Sequence, residues 1–252
     1  MLKRLLISFI LAYLPLHATQ ADEYFRSYRP NYFVLDFNGD AKFQVSQAMK
    51  LFQFQWGDHT HIPDLWASYS AKSFWDLSKE SAPFRETNYN PDLFLDWGFE
   101  TPDNGISLSD VKFGYMHESN GLAGPESRSW DRLFTEVAVT YYSDKEDRMI
   151  FYFRPWYVFK KSGLNSDIED YCGSFEGVLV LKTHYIRWAF AGRLSKDYPV
   201  KYPRILIDIT FKPRKDRMGF YFYGQIFDGY GESLINYKTR TTEFRLGIEI
   251  VK

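Results

Sequence analysis

Asp110-Val111-Lys112-Phe113-Gly114-Tyr115-Met116-His117-Glu118-Ser119-Asn120-Gly121 alternates between two kinds of side chain. In an extended strand, residues two apart share a face. Val111, Phe113, Tyr115, His117 and Ser119 therefore lie on one side, and Asp110, Lys112, Gly114 and Glu118 on the other. The next segment repeats the pattern: Asp131, Leu133, Thr135, Val137, Val139 and Tyr141 form one row, while Arg132, Phe134, Glu136 and Ala138 form the other. Rings and aliphatic groups on one face with charges on the other suit a strand whose apolar side meets lipid and whose charged side meets a lumen.

Composition allows two all-β architectures. The 252 residues include 23 Phe, 19 Tyr and 7 Trp, yet a quarter of the chain is charged and the mean hydropathy is negative. A transmembrane barrel combines these through alternating strands and aromatic girdles. A secreted β-sandwich also alternates, and composition alone does not separate the two.

Outward from the central stretch, strand-like segments bounded by turn residues occur at 31–37, 41–56, 63–76, 89–99, 106–119, 129–143, 148–160, 173–182, 184–195, 203–213, 217–228 and 241–251. That is twelve, the even number expected of a closed antiparallel transmembrane β-barrel. Short connections at 143–147 and 213–216 read as periplasmic turns, and longer ones at 77–88, 120–128, 161–172 and 229–240 as outer loops. The end at Ile250-Val251-Lys252 lacks the terminal aromatic residue common in such barrels.

At the start, Met1-Leu2-Lys3-Arg4, an apolar run from Leu5 to Leu16 and the small residues before Asp22 read as a signal peptide over residues 1–21. Residues 22–252 then form a single barrel domain. The apolar run is too short for a membrane helix, and no later segment comes closer. The lone Cys172 excludes an intramolecular disulfide and reads as a buried or lumenal small residue. A net charge of −1 argues against nucleic acid as a partner.

Chemistry concentrates on the apolar rows. If the segments at 106–119 and 129–143 pair through 120–128, Asp131 approaches His117 on the outer wall, with Ser119 beside them. An ionisable residue facing lipid is costly. A hydroxyl, an imidazole and a carboxylate together match the nucleophile, base and orienter of acyl transfer. A His-x-Ser spacing is common by chance, and the three also fit as interfacial strand-end residues. Asp58-His59-Thr60-His61 with Asp64 has weak metal-site spacing and reads better as a loop. His184 reads as lumenal packing.

Three motifs carry a family resemblance. Tyr115-Met116-His117-Glu118-Ser119-Asn120-Gly121 with Ser127-Arg128-Ser129-Trp130-Asp131-Arg132-Leu133, Ser81-Ala82-Pro83-Phe84-Arg85-Glu86-Thr87-Asn88-Tyr89, and Gly229-Tyr230-Gly231-Glu232-Ser233-Leu234 resemble the outer membrane phospholipase A family. The resemblance implies a twelve-strand barrel in the Gram-negative outer membrane that hydrolyses phospholipid and lysophospholipid acyl esters, depends on Ca2+ and is active as a homodimer. It implies Ser119 as nucleophile, His117 as base and the Gly121 amide in the oxyanion hole. It also implies calcium held by the Ser127 hydroxyl, the Leu122 carbonyl and Ser81 across the dimer. Two positions depart from the pattern: Asp131 stands where the family characteristically has Asn, and Ala71 where it can carry a dimer-face Gln. Calcium or Arg132 is expected to offset the Asp131 charge, and Glu86, Arg85 and Asn88 to form a lumenal network. The rival reading is an inactive structural barrel or a narrow channel.

Overall fold

The computed structural model describes residues 24–54, 62–99, 102, 104–143, 147–194, 201–212 and 219–250. The signal-peptide segment 1–21, His59, His61 and the turn at 213–216 lie outside them. The strands are β1 (Phe25–Arg26), β2 (Asn31–Asp36), β3 (Ala41–Gln53), β4 (Asp64–Trp75), β5 (Phe84–Gly98), β6 (Gly105–Ser119) and β7 (Ser129–Tyr142). They continue as β8 (Arg148–Lys161), β9 (Phe175–Lys182), β10 (Ile186–Leu194), β11 (Arg204–Phe211), β12 (Phe220–Gly229) and β13 (Thr241–Ile250). A short helix, α1 (Ile168–Cys172), precedes β9.

Each strand from β2 onward pairs antiparallel with its sequence neighbour, and β13 returns to β2, closing a twelve-strand barrel. The two residues of β1 add to the end of β3, against Ala48 and Met49. Closure leaves no edge in the hydrocarbon, where an unpaired backbone group costs several kcal/mol. Among the described residues no helix is long and apolar enough to cross a membrane.

Burial inverts that of a water-soluble protein. Phe33, Val45, Leu93, Phe113, Leu133, Phe151, Phe190, Phe222 and Leu246 are exposed on the outer wall. Glu118, Arg132, Glu136, Asp208, Arg245 and Glu249 are buried in the lumen. The lumenal charges are paired in chains. Glu118 accepts from Arg132 at 3.1 Å and from the Trp130 indole at 2.9 Å. Glu136 accepts from Lys112 at 2.8 Å and from the Arg154 Nε at 2.6 Å. Glu176 binds Arg193 at 2.7 Å, and Glu249 binds Arg187 at 2.7 Å. The lumen is thus filled with side chains, which disfavours the channel reading.

Three segments differ from expectation. β5 begins at Phe84 rather than near 89, because Glu86 and Asn88 already face the lumen and accept from the Ile235 amide at 2.9 Å and the Leu234 amide at 3.2 Å. Residues 230–240, expected as an outer loop, turn inward to make those bonds. There Glu232 binds Lys42 at 3.0 Å and Arg245 at 2.6 Å, and its carbonyl accepts from Lys72 at 2.6 Å. This gives Glu232 and Asn88 a role in plugging the outer mouth, whereas Arg85 pairs with Asp76 at the rim. The segment 161–172 contains α1, which ends where Gly173 takes φ +79°. A Cβ there would stand 2.6 Å from the Leu194 carbonyl oxygen. Cys172 closes that helix, free and buried as expected. His184 sits in the turn before β10, edge-on to Tyr185 at 4.4 Å, rather than in a strand facing the lumen.

Glu232→Ala strands Lys42 and Arg245 without their carboxylate in the plug, which costs about 3–5 kcal/mol for a buried pair. Denaturant unfolding of the detergent-solubilised barrel, followed by gel mobility, should show that loss. Glu232→Gln, which keeps one acceptor oxygen, should lose less.

Candidate active site

The register between β6 and β7 builds the site. Tyr115 lies opposite Leu133, His117 opposite Asp131 and Ser119 opposite Ser129. All belong to the outward row, among exposed Phe113 and Leu133. His117 Nδ1 is 2.6 Å from Asp131 Oδ1, and the Tyr115 hydroxyl donates to the same oxygen at 2.6 Å. Asp131 is only 8% exposed although its row faces outward, because Tyr115 and His117 cover it. A carboxylate beside Nδ1 favours the tautomer with a proton there, leaving Nε2 as the basic nitrogen. Ser119, partly exposed, is two residues along the same face. No hydrogen bond joins its hydroxyl to His117 among the described residues.

Arg132 does not offset the charge of Asp131 as expected. As its neighbour in a strand it points the opposite way, binding Glu118 and lying 3.7 Å over the Trp130 ring. The hydroxyl of Tyr115 and the imidazole meet the carboxylate instead. In sequence Tyr115 reads only as an apolar member of the row, yet its position two residues before His117 on the same face carries the signal.

Beyond Ser119 the chain leaves the strand through a loop organised by Asn120. The Asn120 side chain donates to the Glu126 carbonyl at 2.7 Å, and its Oδ1 accepts from the Arg128 amide at 3.0 Å and the Leu122 amide at 3.3 Å. Gly121 takes φ +65°, and a Cβ there would stand 2.8 Å from Tyr89 Cε2. That approach fixes the residue as glycine. A turn of 3₁₀ helix, Gly124–Glu126, leads to Ser127, whose amide donates to the Gly124 carbonyl at 3.1 Å.

Leu122 and Ser127 thus share one stitched loop. Ser81 lies on the β4–β5 loop at the same rim, with φ +63°. Among the described residues no group of three His, Cys, Asp or Glu side chains could hold a metal. The donors on offer are hydroxyl and carbonyl oxygens, which fit a hard cation such as calcium and not a metal preferring nitrogen or sulfur. Ala71 lies on the outer wall in a cross-strand row that runs Val45, Ala71, Tyr89, Ser119 and Ser129.

An apolar-walled closed barrel carrying an imidazole and a carboxylate on its lipid face is an integral membrane protein with a site of hydrolase type. The comparisons with known proteins agree. A family model described as Phospholipase A1 matches residues 8–250. Phospholipase A1 of Klebsiella pneumoniae is 37% identical over 220 residues, spanning 83% of this chain and 69% of that protein. The solved outer membrane phospholipase A from Escherichia coli superposes with a TM-score of 0.78 at 29% identity, covering 95% of each chain. The outer membrane phospholipase dimer of Salmonella typhi with bound calcium gives 0.76 at 30% identity, covering 89% of this chain and 91% of that one. The chain belongs to the phospholipase A1 family, and its barrel is an outer-membrane phospholipase.

Tyr115→Phe removes one of the two bonds to Asp131. It should lower kcat/KM by about ten- to a hundredfold, the worth of a hydrogen bond to a charged group. Barrel mobility on gels should be unchanged; an unaffected rate would show that the hydroxyl does not hold the carboxylate.

Proposed function

We propose that this enzyme cleaves acyl esters of phospholipids and lysophospholipids, with Ser119 as nucleophile, His117 as base and Asp131 as orienter. Both acyl positions are within its scope, giving A1 and A2 activity. The observation that carries this reading is the His117–Asp131 bond on the outer wall, where lipid can reach it laterally. Ser119 gives its proton to His117 Nε2 as its oxygen attacks the ester carbonyl carbon. Asp131 stabilises the imidazolium that forms, and the Gly121 amide faces the charge developing on the carbonyl oxygen. The imidazolium then protonates the departing glycerol oxygen. Water, activated by the same base, releases the fatty acid from Ser119.

Calcium is the cofactor in this reading, held by the Ser127 hydroxyl and the Leu122 carbonyl, with Ser81 of the partner subunit. When bound, it supplies positive charge that favours the oxyanion. The calcium in the Salmonella typhi dimer supports both the ion and the active homodimer. The row from Val45 through Ala71 to Ser119 supports a dimer face contiguous with the site. Ala71 offers no side-chain hydrogen bond there, so contact on that row rests on packing. Residues 1–21 serve as the export leader and 22–252 as the barrel.

Purified protein in detergent with calcium should release fatty acid from phosphatidylcholine. Ser119→Ala should cut the rate by at least roughly a thousandfold, and chelation should abolish it; undiminished release from that variant favours the inactive-barrel reading. Asp131→Asn keeps an orienting oxygen and should retain activity within about tenfold.

A further inference from the structure

We infer that Lys160 is a substrate-recognition residue that engages the phosphodiester anion of the lipid headgroup during hydrolysis at Ser119. This rests on the proposed role of Ser119.

The observation is a bulge. From Tyr142 down to Arg132, the paired residues of β7 and β8 keep one constant register, with Leu133 opposite Tyr157 and Arg132 opposite Val158. At Asp131 the register slips by one residue, and Lys160 stands opposite it. Phe159 is the extra residue. A bulge places two successive side chains on one face and re-aims the strand beyond it. Val158 packs against the lumenal core, and Phe159 points outward, its ring 6.1 Å from that of Tyr115. Lys160, which unbroken alternation would send to the lumen, joins Phe159 on the outside. Lys161 is engaged by Glu169, which it binds at 2.6 Å.

The outward lysine differs from most of the lumenal cations. Lys42, Lys112, Arg132, Arg154, Arg187, Arg193 and Arg245 each have a carboxylate within 4.0 Å. Lys160 is exposed and has no carboxylate within 4.0 Å among the described residues; Asp131, across the strand, feels its charge from farther away. It is the penultimate residue of β8, at the rim shared with the loop 120–128, where headgroups meet the wall. Exposed Tyr157 and Phe159 lie below it as an apolar shelf.

The spacing suits one substrate molecule. Lys160 on β8 is level with His117, so it stands two strands across and two residues along from Ser119, about 12 Å at the usual strand spacing and rise. In a glycerophospholipid, the glycerol carbons and ester oxygens lie between the acyl carbon and the phosphorus. With the acyl carbon at Ser119, the phosphate falls within reach of a flexible ammonium on β8. A charge-assisted bond from a lysine to phosphate is a strong contact at a partly desolvated rim.

The test compares Lys160→Met and Lys160→Arg with the parent in detergent and calcium, on lysophosphatidylglycerol and on monoacylglycerol, which has the same ester and no phosphate. Ser119→Ala is run in parallel. The Met variant is expected to raise KM for the phospholipid about tenfold, to leave monoacylglycerol hydrolysis unchanged, and to be rescued by Arg. Equal loss on both substrates, or no loss on either, overturns the inference. So does a Met variant whose only effect is a shifted pH profile, because Lys160 would then act through Asp131. If Ser119→Ala still hydrolyses both esters, the nucleophile assignment is the one that fails.

Discussion

A bilayer offers no water to a backbone amide, and this single constraint shapes the protein. Twelve strands must pair with two neighbours each, which β13 achieves by returning to β2. Once the ring is closed, side chains have only two destinations. The hydrocarbon takes Phe113, Leu133 and Phe222, and the lumen takes the charges. There Glu118, Glu136, Glu176, Glu232 and Glu249 each have a cation in range, because an unpaired charge beside the sheet would be far costlier than in solution.

That sorting makes the site conspicuous. Polar groups on the outer wall oppose the rule that built the wall, and they are retained where they satisfy one another. Tyr115, His117 and Asp131 do this through one shared oxygen, Asp131 Oδ1. Tyr89 serves both sides of Ser119: it is the serine's cross-strand neighbour, and its ring excludes any side chain at Gly121. The rigid part of the site comes from the ladder, and the loop part from Asn120, whose side chain spans the turn that carries Leu122 and Ser127.

Much of this is legible in the sequence for a local reason. Alternation has a period of two, so the run at 110–121 declares both the strand and its orientation without knowledge of its partners. The expected approach of Asp131 to His117 needs only a single antiparallel pairing, and the ladder has that register. The features that escape depend on distant pairings. The family motif places Glu86 and Asn88 in a lumenal network, but their place within β5 escapes because their partners, the amides at 235 and 234, lie far along the chain. The bulge at Phe159 leaves no mark in composition, since it is defined only against β7. Arg132 is drawn to the wrong side of the wall by its nearness to Asp131 in sequence, although strict alternation already sends it inward.

The inward-turned segment at 230–240 also governs where matter can go. Glu232 is locked between Lys42 and Arg245, and Leu234 and Tyr237 are seated in the core, so among the described residues this segment fills the outer mouth of the lumen. In the proposed reading, fatty acid and lysolipid leave from the outer wall into the lipid that supplied the substrate. Each turnover therefore alters the medium in which the enzyme is dissolved, adding wedge-shaped molecules to its own annulus of lipid.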